Sequence, residues 1–301
     1  MSGDERQSDV REGKLSRPDG RTVAWTEYGD TDGFPVVRVP GTPGSRWSVY
    51  AKRAVWAERG IRVITTERPG YGASTRLPGR RFAEHAHDLD AVLAHLGIER
   101  AAVYGGSGGA PHVLALAAHH PERVLAATVL AGASPLLPDE VGQMIPLNQE
   151  AHALGVAGDH AGLVALLEPH RQAMLADPLG AFREIMATAP EGDREVMADP
   201  VWQATFARAT TEALGQGAEG WADEGIAMQQ PWGDIPLVAI TTSVQWFHTA
   251  SDRNTPLSAA QRLVTRLPDA VLTIWPDGGH LAGYHREGDV LDELLARARA
   301  A

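Results

Sequence analysis

Short apolar runs alternate with helix-period stretches along most of this chain, and the alternation fails once, between residues 134 and about 230. Residues 15–17 and 22–28 flank the turn Pro18-Asp19-Gly20, which predicts a hairpin. Further strands are expected at residues 35–39, 61–66, 101–104 and 124–130. Between them lie a helix over 49–59 closed by Gly60, one carrying Leu89, Val92, Leu93 and Leu96 at i, i+3, i+4 and i+7 and ended by Gly97, and one over 110–119. Strand and helix return in alternation at 243–248, 258–267, 271–275 and 289–299. Such alternation predicts an α/β fold with a mainly parallel sheet covered on both faces.

The interruption holds only helical patterns, at 139–154, 160–176, 179–187 and 200–214, separated by Pro and Gly. Residues 1–133 and 231–301 are therefore expected to form the core, and 134–230 a helical cap or lid inserted at the sheet's carboxyl edge, where open α/β folds bind ligands. An oligomer interface is the other use of such an insertion, and the choice between monomer and dimer stays open.

Composition narrows the chemistry. The 301 residues suit one large domain or a domain with an insertion. A net charge of −11 argues against nucleic acid or an anionic membrane as partner. The absence of cysteine removes disulfides, a thiolate nucleophile and Cys-based metal sites. Residues 1–14 are polar and of mixed charge, unlike a secretory signal, and no apolar run approaches the roughly 18 residues of a membrane helix. These features predict a cytoplasmic protein whose first 12 residues are disordered.

The most informative motif is Gly105-Gly106-Ser107-Gly108-Gly109, between a strand and a helix. A Ser flanked by Gly at −2 and +2 there is a nucleophile elbow: the strained turn lifts the hydroxyl to the sheet edge and frees N–H groups at a helix N-terminus. A phosphate loop would need a nearby Lys, and a dinucleotide fingerprint would need Gly where Pro111 stands. An activated Ser requires a base, and the base a partner to fix its tautomer. Of twelve His, His280 follows the last strand in Asp277-Gly278-Gly279-His280, beside the elbow. His85, His95, His119 and His120 fall on helix patterns expected at the surface, and His112 on the helix after the elbow, facing the core. The acid is expected at Asp252, after the preceding strand; Asp139 and Glu140 lie farther from theirs. Pro43 has no N–H, so Thr42 N–H is the natural second oxyanion donor, opposite Gly108 N–H.

With these residues in place, the chain resembles the α/β-hydrolase superfamily, most closely its bacterial esterase-like and proline-iminopeptidase-like members with a helical cap. The resemblance runs from about Gly13 to the last helix and rests on Pro40-Gly41-Thr42-Pro43-Gly44-Ser45, Arg68-Pro69-Gly70-Tyr71-Gly72-Ala73-Ser74, the Ser107 elbow, residues 246–256 and Gly279-His280. It implies Ser107 as nucleophile, Asp252 as acid, His280 as base, an oxyanion hole at Thr42 and Gly108, and no metal or organic cofactor. The activity implied is hydrolysis of an ester, thioester or amide bond through an acyl-enzyme, with a small-molecule substrate that is small to medium in size and partly apolar. Two alternatives stay open: a biosynthetic thioesterase, cyclase or lyase on the same scaffold, and a ligand-binding protein with a vestigial triad. Three positions depart from the pattern. Pro40 replaces a His that orders the oxyanion loop, Gly108 replaces the Trp of proline iminopeptidases and opens space beside the nucleophile, and Thr249 replaces a common Gly.

Overall fold

A computed structural model describes residues 10–48, 54–187, 189–230 and 232–301, with backbone alone at 185 and 186. Eight strands form one sheet in the order β1-β2-β4-β3-β5-β6-β7-β8. β1 (Val10–Ser16) and β2 (Thr22–Gly29) make the expected hairpin, and β2 runs antiparallel to β4 (Ile61–Thr66). From β4 onward the sheet is parallel through β3 (Phe34–Val39), β5 (Ala101–Gly106), β6 (Val124–Leu130), β7 (Val244–Thr249) and β8 (Ala270–Trp275). Of the start expected to be disordered, residues 1–9 lie outside the described residues, whereas Val10 to Glu12 already pair with β2.

The central strands carry apolar side chains to both faces, because helices cover both. On one face Val37, Val39, Ile64 and Val103 pack with α2 (Phe82–His95) and α3 (Ala110–His119). On the other, Val36, Val63, Ala102 and Tyr104 pack with Leu291, Leu294 and Leu295 of α13 (Glu287–Ala300). α1 (Ala54–Ala57) is the described part of the helix expected over 49–59; residues 49–53 lie outside the described residues. α11 (Leu257–Val264) and α12 (Ala282–His285) complete the core.

Among the described residues seven α-helices stand between β6 and β7: α4 (Pro138–Val141), α5 (Pro146–Ala157), α6 (His160–Ala176), α7 (Pro178–Met186), α8 (Glu191–Ala198), α9 (Pro200–Ala213) and α10 (Glu219–Gln229). They form the cap-like insertion. The single helix expected over 139–154 is two, because Pro146 starts a new one after Gly142 closes α4. α8 and α10 were not expected. The first is short and half charged, and the second, interrupted by Gly220 and Gly225, shows no clean apolar stripe. Gly220 is required by contact: a Cβ there would overlap the Gly70 carbonyl.

The elbow depends on small residues where α3 meets the strand ends. A Cβ on Gly109 would stand 2.8 Å from the carbonyl oxygens of both Val39 and Pro40, and one on Gly105 would stand 2.9 Å from Val39 O. Backbone atoms cannot yield there as a side chain can. Gly109→Val should therefore lower stability by about 2 kcal/mol, read as a fall in the urea-unfolding midpoint.

Candidate active site

Parallel register brings the carboxyl ends of β3, β5, β6, β7 and β8 into one row, and the loops that follow them build the site. Ser107 follows β5 with φ +54°, in the left-handed region that a Ser side chain rarely adopts. Its neighbours hold it there. Ser107 O accepts from Ala133 N at 2.9 Å, and Ala131, also left-handed at φ +45°, donates to Phe247 O at 2.8 Å and accepts from Thr255 Oγ1 at 3.0 Å. Strained backbone of this kind clusters at functional sites.

His280 and Asp252 come together. Nδ1 of His280 donates to Asp252 Oδ2 at 2.8 Å, which leaves Nε2 as the acceptor. The carboxylate is buried and engaged on both oxygens: Oδ1 accepts from Asn254 N (2.7 Å) and Thr255 N (3.0 Å), and Oδ2 shares the single Thr255 Oγ1 hydrogen (2.8 Å) with Ala131 O. Burial acts to lower the imidazole's pKa, but the charge and hydrogen bond of Asp252, helped by Asp193, outweigh it and the net shift is upward. Glu140 instead accepts from Arg262 at 2.6 Å, and Asp139 is exposed. Ser107 and His280 line one cavity of about 320 Å³, with Thr42 and Gly108 beside them.

Two carboxylates of the cap reach the loops around this cavity, and sequence reasoning missed both. Asp193 of α8 accepts from His280 N (2.9 Å) and Leu281 N (2.7 Å), so it fixes the loop that carries the imidazole. Glu224 of α10 sits fully buried against Arg68, with Arg68 Nε at 2.8 Å from Oε1. It also accepts from Tyr71 OH (2.6 Å) and from His112 Nε2 (3.0 Å). Arg68 in turn donates to the carbonyls of Pro40 and Gly41, the latter at 2.8 Å, and to Thr42 Oγ1 at 3.2 Å. The loop with Pro40 in place of His is thus ordered from the far side by a guanidinium. Arg68 and Arg80 hold the Glu224 carboxyl well below its usual range against the effect of burial. Burial pushes His112 down to about 4, so it is a neutral donor to Glu224 and its Nδ1 faces His85 Nδ1 at 3.1 Å. His85, expected at the surface, is therefore a buried link in this chain, ending on Thr66 Oγ1 at 3.0 Å.

The space expected beside Gly108 is filled. A Cβ there would overlap Thr42 Oγ1 and stand 3.0 Å from Met228 Cε of α10. The cavity widens elsewhere, among Met144, Phe182, Trp202, Phe206, Trp221 and Trp232. Arg38 is the one Lys, Arg, Asp or Glu among its described lining residues. One cluster, Asp90, His120 and Glu122, could offer three metal ligands. It lies near the opposite end of α3 from Ser107, and Asp90 is already paired with Arg123 at 2.6 Å. Among the described residues no helix is long and apolar enough to cross a membrane.

The family model for the alpha/beta hydrolase fold matches residues 35–286. The chain belongs to the α/β-hydrolase family. Among relatives of this hydrolase, a probable proline iminopeptidase of Streptomyces coelicolor is 28% identical, with 90% of each chain covered. A pimeloyl-[acyl-carrier protein] methyl ester esterase of Aromatoleum aromaticum is 31% identical over 77% of this chain and 85% of its own. A thermophilic esterase from Thermogutta terrifontis shares the fold at a TM-score of 0.68 and 20% identity, with 96% of this chain and 99% of the other covered.

Replacing Glu224 by Ala would strand the Arg68 and Arg80 cations in the interior. We expect a loss of about 3–5 kcal/mol, measured by denaturant unfolding.

Proposed function

We propose that this α/β hydrolase is a serine esterase acting on small to medium, partly apolar acyl esters. The observation that carries the reading is the 2.8 Å bond between His280 Nδ1 and Asp252, in a loop that shares one cavity with a left-handed Ser107. Asp252 fixes the tautomer in which His280 Nε2 can take the Ser107 proton. Ser107 Oγ attacks the acyl carbonyl, Thr42 and Gly108 N–H groups hold the oxyanion, and the alcohol leaves with the proton from His280. Water then attacks the acyl-enzyme with His280 again as base. Residues 134–230 act as the lid that walls the cavity and selects the acyl group.

The cavity favours esters over N-terminal prolyl amides. An aminopeptidase must pair the substrate's ammonium group, and no carboxylate stands among the described lining residues; the charge present is Arg38. The methyl ester esterase among the relatives supports the same direction.

Ser107→Ala should remove turnover of p-nitrophenyl esters by several orders of magnitude with the unfolding midpoint retained. Wild-type activity in that variant would contradict the assignment. The wild-type protein should hydrolyse p-nitrophenyl esters of short or medium chain and leave proline p-nitroanilide nearly untouched; the reverse preference would restore the peptidase. Only the neutral imidazole can serve as base, and its pKa is raised, so kcat/KM should fall as pH drops through a value above the ordinary 6.5. Asp193→Asn removes one of the raising charges and should move that limb to lower pH.

A further inference from the structure

Behind Ser107 lies a second, small cavity of about 60 Å³, walled by the ends of β3, β5 and β6 and by α12. It adjoins the main cavity: Arg38, Gly41, Ser107, His280, Leu281 and Tyr284 line both. Its walls differ in kind from the aromatic surface of the main one. Arg38 occupies a strand position facing the core beneath Tyr104, its cross-strand partner, where Val36 two residues earlier is apolar. Glu287, the first residue of α13, lines the same space and accepts from Tyr104 OH at 2.6 Å. Arg38 is 8% exposed and Glu287 3%. Three of their polar atoms, Arg38 Nε and Nη1 and Glu287 Oε2, are buried without a protein hydrogen-bond partner.

A guanidinium and a carboxylate that keep unsatisfied polar atoms in one buried space are costly unless something satisfies those atoms on both. The occupant must accept from the one and donate to the other. A carboxylate ligand would accept from Arg38 but meet Glu287 as a like charge. Water does both, and a polar space needs only roughly 10–15 Å³ per molecule. We infer that this cavity is an internal water site which supplies the hydrolytic water to the acyl-enzyme. The inference rests on the serine-hydrolase reading above. An apolar acyl group in the main cavity displaces solvent there, whereas the charged side cavity keeps its water and opens on Ser107 and His280. A water from it attacks the acyl carbon and gives its proton to His280. The bond from acyl carbon to Ser107 Oγ then breaks, the proton returns to Oγ, and the carboxylic acid leaves.

The test separates acylation from deacylation. The double variant Arg38→Met/Glu287→Met removes both charges together, a change that buried pairs often tolerate. Tyr104→Phe is a milder second variant, which removes only the hydroxyl that anchors Glu287. Stopped-flow release of p-nitrophenolate from a medium-chain ester reads acylation as the burst and deacylation as the steady state. The expected result is a burst of about one equivalent per protein and a steady-state rate about tenfold lower in the double variant, with a smaller effect in Tyr104→Phe. Labelling of Ser107 by a fluorophosphonate should be unchanged in rate. Wild-type steady-state turnover in both variants, or equal losses in burst and steady state, would overturn the water site. Failure of the wild-type protein to label at Ser107 would instead overturn the serine-hydrolase reading itself. A crystal structure of the wild-type protein should show ordered water bridging Arg38 and Glu287, and a dry cavity there would also refute the inference.

Discussion

The site hangs on a buried ion pair between the core and the cap. Arg68 stands in the loop after β4, and Glu224 on the last cap helix, 156 residues away in the chain. Neither charge can be left alone in the interior, so each requires the other's element in place. Through Arg68 this requirement passes to the carbonyls of Pro40 and Gly41 and to Thr42, the loop that faces Ser107. Through Tyr71 and His112 it passes to the loop after β4 and to α3, the helix that starts at the elbow. The cap is thus a structural member of the site rather than an appendage.

Asp193 makes the same kind of connection on the other side. It gathers two successive N–H groups at the end of the His280 loop, just before α12, while Asp252 holds the ring from within the core. The loop of His280 and the loop of residues 40–42 therefore each carry one anchor from the insertion. The main cavity lies among these elements, which ties the shape of the substrate space to the integrity of both anchors.

What the sequence made legible was local. The Gly-flanked Ser at a strand-to-helix junction, the Gly-Gly-His after the last strand and the Asp after the preceding one are short motifs whose setting follows from strand order. The parallel sheet was legible because its strands are apolar on both faces. The rest depends on contacts over long separations. Nothing near Glu224 or Asp193 in the chain distinguishes them from solvated helix acids; the helix that carries Glu224 has weak apolar periodicity, and the one that carries Asp193 is short and half charged. His85 reads as a surface residue because it is polar, yet it stands four residues before Leu89 on the buried face of α2, where the His112–Glu224 link satisfies it. Gly108 reads as added space, yet Thr42 and Met228 fill it. A basic residue inside a buried strand was the one available signal for the Arg38 cavity, since such a side chain needs a partner or water.

The central claim is that Ser107 carries the acyl group during turnover. Peptide mapping by mass spectrometry after an acid quench of the reacting protein with a p-nitrophenyl ester tests it most directly. The account predicts the acyl mass on the peptide containing Ser107. An acyl group on another residue, or ester turnover with no adduct at any time point under conditions where deacylation is slowed, would contradict it.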